Sequence, residues 1–474
     1  MVPNDEYEYI EKLVLTRIKP KEEEYSKLRK AFHIIKKHVE NVLKENNVKA
    51  KVTLQGSFAH DTWLSGDNDL DVFVLFPPDW SIEDLRDKGF KILLEAARRS
   101  GRYEIRYSQH PYIRVYVGDV RTDLVPGYEV VSNKDIRTAV DRTPFHTQYV
   151  NSKLDDKMRD QVRLLKKFLK NLGIYGAEIK TKGFSGYVAE LLIIKYGSFR
   201  NLLREASNWK HPVYINTLDN EEEFRKIKKI LRKRYPEAVL YIPDPVDPLR
   251  NAAASVSLKS LAIFVVASRC YLRKPDLAFF FDEQTNNQET IAEALNNRCL
   301  LLIELPLKEK LPPDIVWGEI QRIGDRGAKV LANNDFNVIY WDVWTDEKEK
   351  SYILYELDYC EKNNPRLYRG PEYWAKDRVL RFLAKHIKHN AIGPWINMHG
   401  QLVSLRKRKY ESAQKLLIER SWEYIVTPHF KGLIPKIHIV TRDFLEKIWS
   451  QGGISRWLAR VIIRRPKWME KCIE

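Results

Sequence analysis

The chain has 474 residues, of which 44% are hydrophobic and 31% are charged. This composition predicts about two to four folded domains and excludes a collagen-like chain, a long disordered protein and a minimal single domain. Basic side chains exceed acidic ones by 17, which favours a polyanionic partner such as nucleic acid.

The first 150 residues predict a small α/β unit with a mixed sheet. Apolar residues recur at spacings of three and four in residues 21–47, which is typical of an amphipathic helix. A strand rich in β-branched and aromatic residues is predicted at 70–76, ended by two prolines. The other predicted elements are a helix at 82–99 and strands at 52–54, 103–107, 112–117 and 120–125.

The middle of the chain predicts a helical domain. In residues 155–172 the helical period places Met158, Val162, Leu165, Leu169 and Leu172 inward. The same period places Arg163, Lys166, Lys167 and Lys170 near the exposed rim. Further helices are predicted at 185–196, 221–234 and 258–271.

The C-terminal half predicts an α+β body with a basic tail. Residues 336–344 and 352–357 form the strands of a predicted hairpin. Residues 1–150 hold 24 basic and 24 acidic side chains, whereas residues 151–474 hold 57 and 40. Residues 401–474 alone hold 16 and 7.

The basic tail has the composition of an RNA-binding segment. Basic side chains neutralise phosphates and aromatic rings stack on bases, so we expect residues 401–474 to contact RNA. Its basic run is Arg406, Lys407, Arg408 and Lys409, for which a plain solubilising surface is the alternative. Its aromatic residues are Trp422, Tyr424, Phe430, Trp449, Trp457 and Trp468.

The sequence favours a soluble, cytoplasmic protein without a membrane partner. The longest apolar stretch, residues 261–267, is far shorter than the ~18 residues of a membrane span, and residues 1–10 lack an apolar signal core. The cysteines are too widely spaced for a zinc knuckle or a redox pair, so we expect reduced thiols. They are Cys270, Cys299, Cys360 and Cys472.

Two carboxylates on one strand form the strongest local signal. The two-residue period of a strand places Asp69 and Asp71 on the same face, where they would repel each other unless cations lie between them. Magnesium is the natural cation, because it prefers oxygen ligands and accompanies phosphates. We expect Asp123, on a later strand, to supply a third carboxylate; Asp119 competes for that role but lies in an ordinary Gly-Asp turn.

A Gly-Ser pair precedes these carboxylates. Gly56 allows backbone N–H groups to approach a phosphate, and the hydroxyl of Ser57 can donate to it at the start of a short helical turn. Each motif alone is common in turns and at strand edges. Their succession, with strands on both sides, predicts a metal-dependent phosphoryl-transfer site in which two ions act together.

These residues carry a family resemblance. The runs at residues 56–63 (GSFAHDTW) and 69–73 (DLDVF) resemble the signature of the nucleotidyltransferase superfamily that includes DNA polymerase β. More narrowly, the sequence is similar to class I, archaeal-type CCA-adding enzymes, which build the 3′ CCA end of tRNA without a nucleic-acid template. Similar stretches lie at 109–112, 123–126, 140–146, 174–178, 183–187 and 244–251, and the similarity spans residues 30–270.

The resemblance implies roles for the matching residues. Asp69, Asp71 and Asp123 would bind two Mg²⁺ ions, with Asp123 beside the tRNA 3′ hydroxyl as a base. Arg250, together with the tRNA backbone, would recognise the incoming base. His60 is assigned to the nucleotide site, although relatives commonly have arginine there and a neutral histidine supplies one donor and no fixed charge. The triphosphate and ribose would be lined by Gly56, Ser57, Thr143, His146, Lys166 and Tyr175.

Structural alternatives exist for several of these residues. His146 could cap the local backbone, Lys166 could belong to a solvated helix face, and Tyr175 could be a core aromatic. Arg250 could pair with Asp247 for purely structural reasons.

The resemblance implies a polymerase β-like catalytic head at residues 1–152, a helical neck for base recognition at 153–265, and a tRNA-binding body and tail at 266–474. The implied reaction adds C, C and A to tRNA from CTP and ATP and releases pyrophosphate. A homodimer is also implied. The alternatives are a poly(A) polymerase or other terminal nucleotidyltransferase, and an inactive RNA-binding protein.

Overall fold

A computed structural model describes residues 4–107, 111–132, 135–138, 140–281, 288–388 and 392–473. The chain forms two compact units. Unit 1 comprises residues 1–284 together with 465–474, and unit 2 comprises residues 285–464. None of the described helices is long and apolar enough to cross a membrane.

The N-terminal part of unit 1 contains a five-stranded mixed sheet in the order β1-β2-β5-β4-β3, in which only the β2–β5 pair is parallel. The expected mixed sheet with helices is therefore confirmed. In chain order its elements are α1 (Asn4–Ile18), α2 (Glu22–Glu45), β1 (Lys51–Gln55), α3 (Gly56–Ala59), β2 (Asp69–Phe76), α4 (Ile82–Asp84), the π-helical turn Leu85–Gly89, α5 (Phe90–Ser100), β3 (Arg102–Tyr107), β4 (Pro111–Val117) and β5 (Val120–Tyr128).

Strand β2 is central because its sequence is apolar on both faces beyond Asp71. Residues 72–76 are all buried, as is usual for an inner strand that has a parallel neighbour. Helices α2 and α5 contribute apolar stripes to the same core, with Ile35 and Leu93 fully buried. The polar start of β2 therefore lies at the edge of a rigid core, and Asp69 and Asp71 project from that start.

The rest of unit 1 is mainly helical. A short parallel pair, β6–β7, interrupts the helices. The elements are the 3₁₀ turn Val140–Arg142, α6 (Thr143–Lys153), α7 (Asp156–Asn171), α8 (Gly186–Tyr196), α9 (Phe199–Ala206), β6 (Val213–Tyr214), α10 (Glu221–Arg234), β7 (Leu240–Tyr241), α11 (Leu258–Arg273) and the 3₁₀ turn Leu277–Phe279.

The predicted placement of charges on α7 is wrong at two positions. Arg163 and Lys166 are each only 1% exposed rather than lying at the rim. Arg163 donates to the backbone carbonyls of Asp61 and Trp63, at 2.7 and 3.1 Å. Both charges are buried because α7 packs against the loop that follows α3 as well as against other helices, which a single helical period cannot show.

Unit 2 contains a four-stranded antiparallel sheet, β14-β8-β10-β9, and a three-stranded antiparallel sheet, β11-β13-β12. The predicted hairpin is present as β9–β10. The elements are α12 (Gln288–Glu293), β8 (Cys299–Pro306), α13 (Pro313–Ala332), β9 (Val338–Thr345), β10 (Lys350–Leu357), β11 (Arg366–Glu372), α14 (Lys376–Ile387), β12 (Ile392–Ile396), β13 (Gln401–Arg406), α15 (Ala413–Glu419), α16 (Ser421–Tyr424), β14 (Lys436–Ile439), α17 (Arg442–Ile448) and α18 (Gly453–Ile463).

Most aromatic residues of the basic tail are core residues. Tyr424, Phe430, Trp457 and Trp468 are buried, so the expectation that they stack on RNA bases is wrong. Trp422 is exposed and Trp449 is half-buried. Apolar packing explains the difference, because the buried four lie in hydrophobic clusters of their units.

The end of the chain returns to unit 1. Helix α19 (Lys467–Glu470) places Trp468 in the hydrophobic core formed by the central helices. A disulfide joins Cys270 of α11 to Cys472, and a second joins Cys299 to Cys360 in unit 2. The expectation of four reduced thiols is wrong, because folding brings together cysteines that are 202 and 61 residues apart in sequence.

Candidate active site

Neighbouring strands bring two of the predicted carboxylates together. Strands β2 and β5 run parallel, and Asp71 lies directly opposite Asp123 in their register. Asp69 lies two residues earlier on β2, opposite Arg121. Asp119 is at the exposed β4–β5 turn, where it contacts Lys27 and Asn68 instead. The register therefore favours Asp123 over Asp119 as the third carboxylate.

A tight turn lies against Asp71. Gly56 begins α3 with a positive φ of 68°, and a Cβ atom on it would stand 2.1 Å from Oδ2 of Asp71. The amide of Thr62 donates to the carbonyl of Ser57 at 2.9 Å, and the amide of His60 donates to that of Gly56 at 3.1 Å. The Gly-Ser pair is thus wound into a closed turn whose first residue touches the candidate metal ligand.

Two arginines hold the outer carboxylates. Arg114 of β4 donates to both oxygens of Asp123, at 2.7 and 2.8 Å. Arg121 of β5 contacts Asp69 in the same bidentate manner, at 2.6 and 2.7 Å. Neither arginine was predicted from the sequence. Strand pairing places each one opposite its aspartate, so a correct register would have revealed them.

Asp71 carries the electrostatic signature of a cation site. Burial, together with the charges of Asp123 and Asp69, raises its pKa to about 7. Among the described residues, no lysine or arginine forms an ion pair with Asp71. A partly buried, unpaired carboxylate beside two others fits a hard divalent cation by its donor chemistry.

The three carboxylates are not yet arranged as ligands. Within the described part of the chain, no three His, Cys, Asp or Glu side chains are placed so that they could bind one metal ion together. The cause is visible in the contacts, because Arg121 and Arg114 orient Asp69 and Asp123 toward themselves. The carboxylates of Asp69, Asp71 and Asp123 suit a divalent cation by their chemistry and by their positions on paired strands. A bound cation would compete with the guanidinium groups of Arg114 and Arg121.

A buried charged cluster, formed by His60, Thr62, Lys166 and Glu190, lies behind the turn. Glu190 of α8 is 2% exposed and accepts from Thr62 at 2.6 Å, from His60 Nδ1 at 3.0 Å and from Lys166 at 3.3 Å. Burial alone would raise the pKa of Glu190, but Lys166 and His60 lower it to about 2. Sequence reasoning missed Glu190 because it lies in an apolar helix with no motif around it.

Both ring nitrogens of His60 have partners within the protein. Its Nε2 lies 3.0 Å from the hydroxyl of Thr147, which donates its own proton to Gln55. Its Nδ1 lies 3.0 Å from the carboxylate of Glu190. His60 is fully engaged by protein groups and is 5% exposed.

A second cluster surrounds Asp244. This fully buried carboxylate accepts from His146 at 2.8 Å, from Arg250 at 2.7 Å and from the hydroxyl of Tyr187 at 2.9 Å. Burial would raise the pKa of Asp244, but His146 and Arg250 lower it to about 2. The structure thus joins His146 to Arg250, whereas Asp247, the alternative partner of Arg250, pairs with Arg142.

The remaining predicted nucleotide ligands, Thr143 and Tyr175, also lie in unit 1. Thr143 begins α6 and is partly exposed. Tyr175 lies beneath the start of α8, where a Cβ atom on Gly186 would stand 3.0 Å from its hydroxyl oxygen and 3.7 Å from Nζ of Lys166. Tyr175 and Lys166 are therefore neighbours.

The basic run in unit 2 has mixed surroundings. Lys407 and Lys409 are exposed, whereas Arg408 is turned inward and donates to the carbonyl of Asn364 at 2.8 Å. The guanidinium of Arg406 lies over the ring of Tyr368, 5.5 Å from its centroid. Lys407 and Lys409 are thus accessible to a polyanion, with Lys407 also 3.8 Å from Glu411 and Lys409 lying over the ring of Tyr410.

Three family models match consecutive parts of the chain. A model of the nucleotidyltransferase domain matches residues 35–146, and one of the second domain of tRNA nucleotidyltransferase matches residues 160–281. A model of the C-terminal domain of the CCA-adding enzyme matches residues 298–427.

Whole-chain comparison with curated relatives agrees with these models. The CCA-adding enzyme of Sulfurisphaera tokodaii is 42% identical over 401 residues, which is 85% of this chain and 89% of the relative. The CCA-adding enzyme of Saccharolobus islandicus is 35% identical over 97% of this chain and its own full length. This chain belongs to the CCA-adding enzyme family. The resemblance is confirmed, and the chain is a tRNA nucleotidyltransferase of a family that uses a divalent metal ion.

The solved structures to which this chain shows some similarity include terminal transferases. The Cid1 poly(U) polymerase is 15% identical, with a TM-score of 0.45, and covers 58% of this chain and 98% of its own. A cytoplasmic RNA terminal U-transferase is likewise 15% identical, with a TM-score of 0.45, over 57% of this chain and 95% of its own.

Proposed function

We propose that this protein adds C, C and A to the 3′ end of tRNA from CTP and ATP, without a nucleic-acid template. The observation that carries the proposal is the register of Asp71 and Asp123 beside the Gly56 turn, in a chain of the CCA-adding enzyme family. Residues 151–474 carry an excess of basic side chains, which would attract tRNA as a polyanion. The reaction belongs in the cytoplasm.

The chemistry is an in-line displacement at the α-phosphorus of the nucleotide. The tRNA 3′ oxygen forms a bond to phosphorus, the bond to the bridging oxygen of the β-phosphate breaks, and pyrophosphate leaves. Asp123 accepts the hydroxyl proton. Two Mg²⁺ ions, held by Asp69, Asp71 and Asp123, would acidify the hydroxyl and neutralise the leaving group.

The other residues bind and orient the nucleotide. The Gly56 and Ser57 turn presents backbone N–H groups and a hydroxyl to the triphosphate. The further triphosphate and ribose contacts belong to Thr143, His146, Lys166 and Tyr175.

Arg250, held by Asp244, reads the base together with the tRNA backbone. On the RNA side, Arg406, Lys407, Arg408 and Lys409 contribute to phosphate binding. We assign residues 1–152 to catalysis, 153–265 to base recognition and 266–474 to tRNA binding, in a chain that forms a homodimer.

The test is transfer from labelled CTP and ATP to tRNA trimmed of its 3′ end, with and without EDTA. We expect two C residues and one A, and loss of transfer in EDTA. Long A tails without C would identify a poly(A) polymerase instead.

The Asp71→Ala variant separates an enzyme from an inactive RNA-binding protein. Removing the carboxylate that contacts the Gly56 turn should abolish nearly all transfer, because the metal site loses its central ligand. The variant should still bind tRNA, with an affinity that falls steeply as salt is raised. Full activity in this variant would refute the assigned site.

A further inference from the structure

The buried charged cluster connects both ends of the nucleotide-binding turn to three helices. Gln55, which precedes Gly56, accepts from Thr147 of α6 at 2.5 Å, and Thr147 in turn contacts His60 at 3.0 Å. Thr62, which follows the turn, contacts Lys166 of α7 at 2.8 Å and Glu190 of α8 at 2.6 Å. The proposed chemistry assigns no role to Glu190, although it is the only anion of this cluster.

We propose that Glu190 is the positioning residue of the triphosphate site, holding His60 and Lys166 against the two ends of the turn. This inference rests on the proposed function and adds a residue to it. Glu190 itself does not touch the nucleotide. It acts through Thr62, whose amide donates to the carbonyl of Ser57.

Glu190 is the counter-ion of the buried Lys166, 3.3 Å away. Burial lowers the pKa of Lys166, while the charge of Glu190 opposes that shift. Without Glu190 the ammonium group would lie in a buried site with no counter-ion, and it would lose its proton or move. With Glu190 present, the ammonium group stays beside the hydroxyl of Thr62, next to the end of the turn.

The backbone of the turn is tied to the two residues that Glu190 binds. The backbone amide of Thr62 donates to the carbonyl of Ser57 and that of His60 to the carbonyl of Gly56, while Glu190 holds the side chains of Thr62 and His60. Gly56 also contacts Asp71. A displacement of the cluster would therefore shift the phosphate-binding turn relative to the carboxylates, and not merely loosen the fold.

The experiment measures steady-state kinetics and calorimetric binding of CTP for Glu190→Gln. We expect KM for CTP and for ATP to rise about 10- to 100-fold, as for the loss of one charged hydrogen bond. Both nucleotides should be affected equally, because Arg250 and Asp244, which we assign to the base, lie in a separate cluster. kcat should change less than KM, and tRNA affinity should not change.

Glu11→Gln is the matched control. Glu11 is also a buried carboxylate of unit 1, 5% exposed and paired with Arg200 at 3.1 Å, but none of its described contacts reaches the turn. This variant should keep the parental KM. A Glu190→Gln protein with parental KM and CTP affinity, or equal KM changes in the two variants, would overturn the inference.

Two further arrangements keep the test decisive. If Glu190→Gln does not fold, Thr62→Val removes the hydroxyl that bonds both Glu190 and Lys166 while keeping a side chain of the same shape, and it should raise KM in the same direction by a smaller factor. If the parental protein binds CTP but transfers nothing, the proposed function fails. The calorimetric comparison then still decides whether Glu190 positions the triphosphate site.

Discussion

Gly56 occupies a position where any side chain would meet Asp71. Its φ of 68° lies in the left-handed region, and the space that a Cβ would need is filled by Oδ2 of Asp71. Gly66 has a similar φ of 84°, but no atom lies within 4 Å of the Cβ it would carry. Substitutions at Gly56 and Gly66 can therefore distinguish the effect of backbone strain from the effect of displacing the carboxylate of Asp71.

This pair predicts different outcomes for two alanine variants. Both should lose about 1 kcal/mol of stability, because a left-handed backbone is unfavourable for alanine. Only Gly56→Ala should also lower transfer, by about 100-fold, since the carboxylate of Asp71 must rotate away. Thermal unfolding and initial rates check this. Equal activity in the two variants would show that the contact with Asp71 is unimportant.

Individual site residues could be predicted from the sequence where neighbouring residues in the chain form a recognisable motif. Asp69, Asp71 and Gly56 were found because strand period and turn chemistry mark them within a few residues. Arg114 and Arg121 required the strand register, which the sequence leaves open. Glu190 and Asp244 could not be found, because their partners lie on other elements, up to 130 residues away for Glu190 and His60.

Helices and strands were predicted correctly where the element packs a single apolar face against a single hydrophobic core. Helix α10 was predicted with the bounds that the structure has, and β2 and the β9–β10 hairpin also lie where expected. Helix α7 was predicted as an element, but its buried charges were not. It packs on more than one face, so helical period alone assigns its polar residues to the solvent.

Charged groups buried between helices make stability depend on pH. Glu190 and Asp244 have pKa values of about 2 in the folded protein, below their ordinary values of 4.5 and 3.8. Their contribution to stability is therefore complete above about pH 4.5 and is lost as pH falls toward 2. The double variant Glu190→Gln with Asp244→Asn should show a smaller fall in Tm between pH 5 and pH 3 than the parental protein. An equally steep fall would contradict the ion pairs.

At the scale of the whole molecule, two disulfides close loops of very different length. Cys270–Cys472 spans 202 residues and Cys299–Cys360 spans 61. In the chain-entropy account, the longer loop contributes more stability, by about 1 kcal/mol out of a few. The Cys472→Ser variant should therefore have a lower Tm than the Cys360→Ser variant, measured by calorimetry without reductant. The reverse order, or no change on reduction, would refute this account.

At the domain scale the fold class was predicted correctly, whereas the connectivity of unit 1 was not foreseen. A neutral first third and a basic remainder are visible in composition. The return of residues 465–474 to unit 1 is not, because Trp468 and Cys472, which join the core and a disulfide there, carry no local signal of their distant partners.

That return has a consequence for biosynthesis. Unit 2 is inserted between two stretches of unit 1, so the central helices cannot receive Trp468 until every residue of unit 2 has been translated. A ribosome that stops within the insertion would release a nucleotide-binding half with its aromatic core open to solvent, a species prone to aggregation. If residues 1–284 were synthesised as a separate polypeptide, their core would be complete only when residues 465–474 were also present.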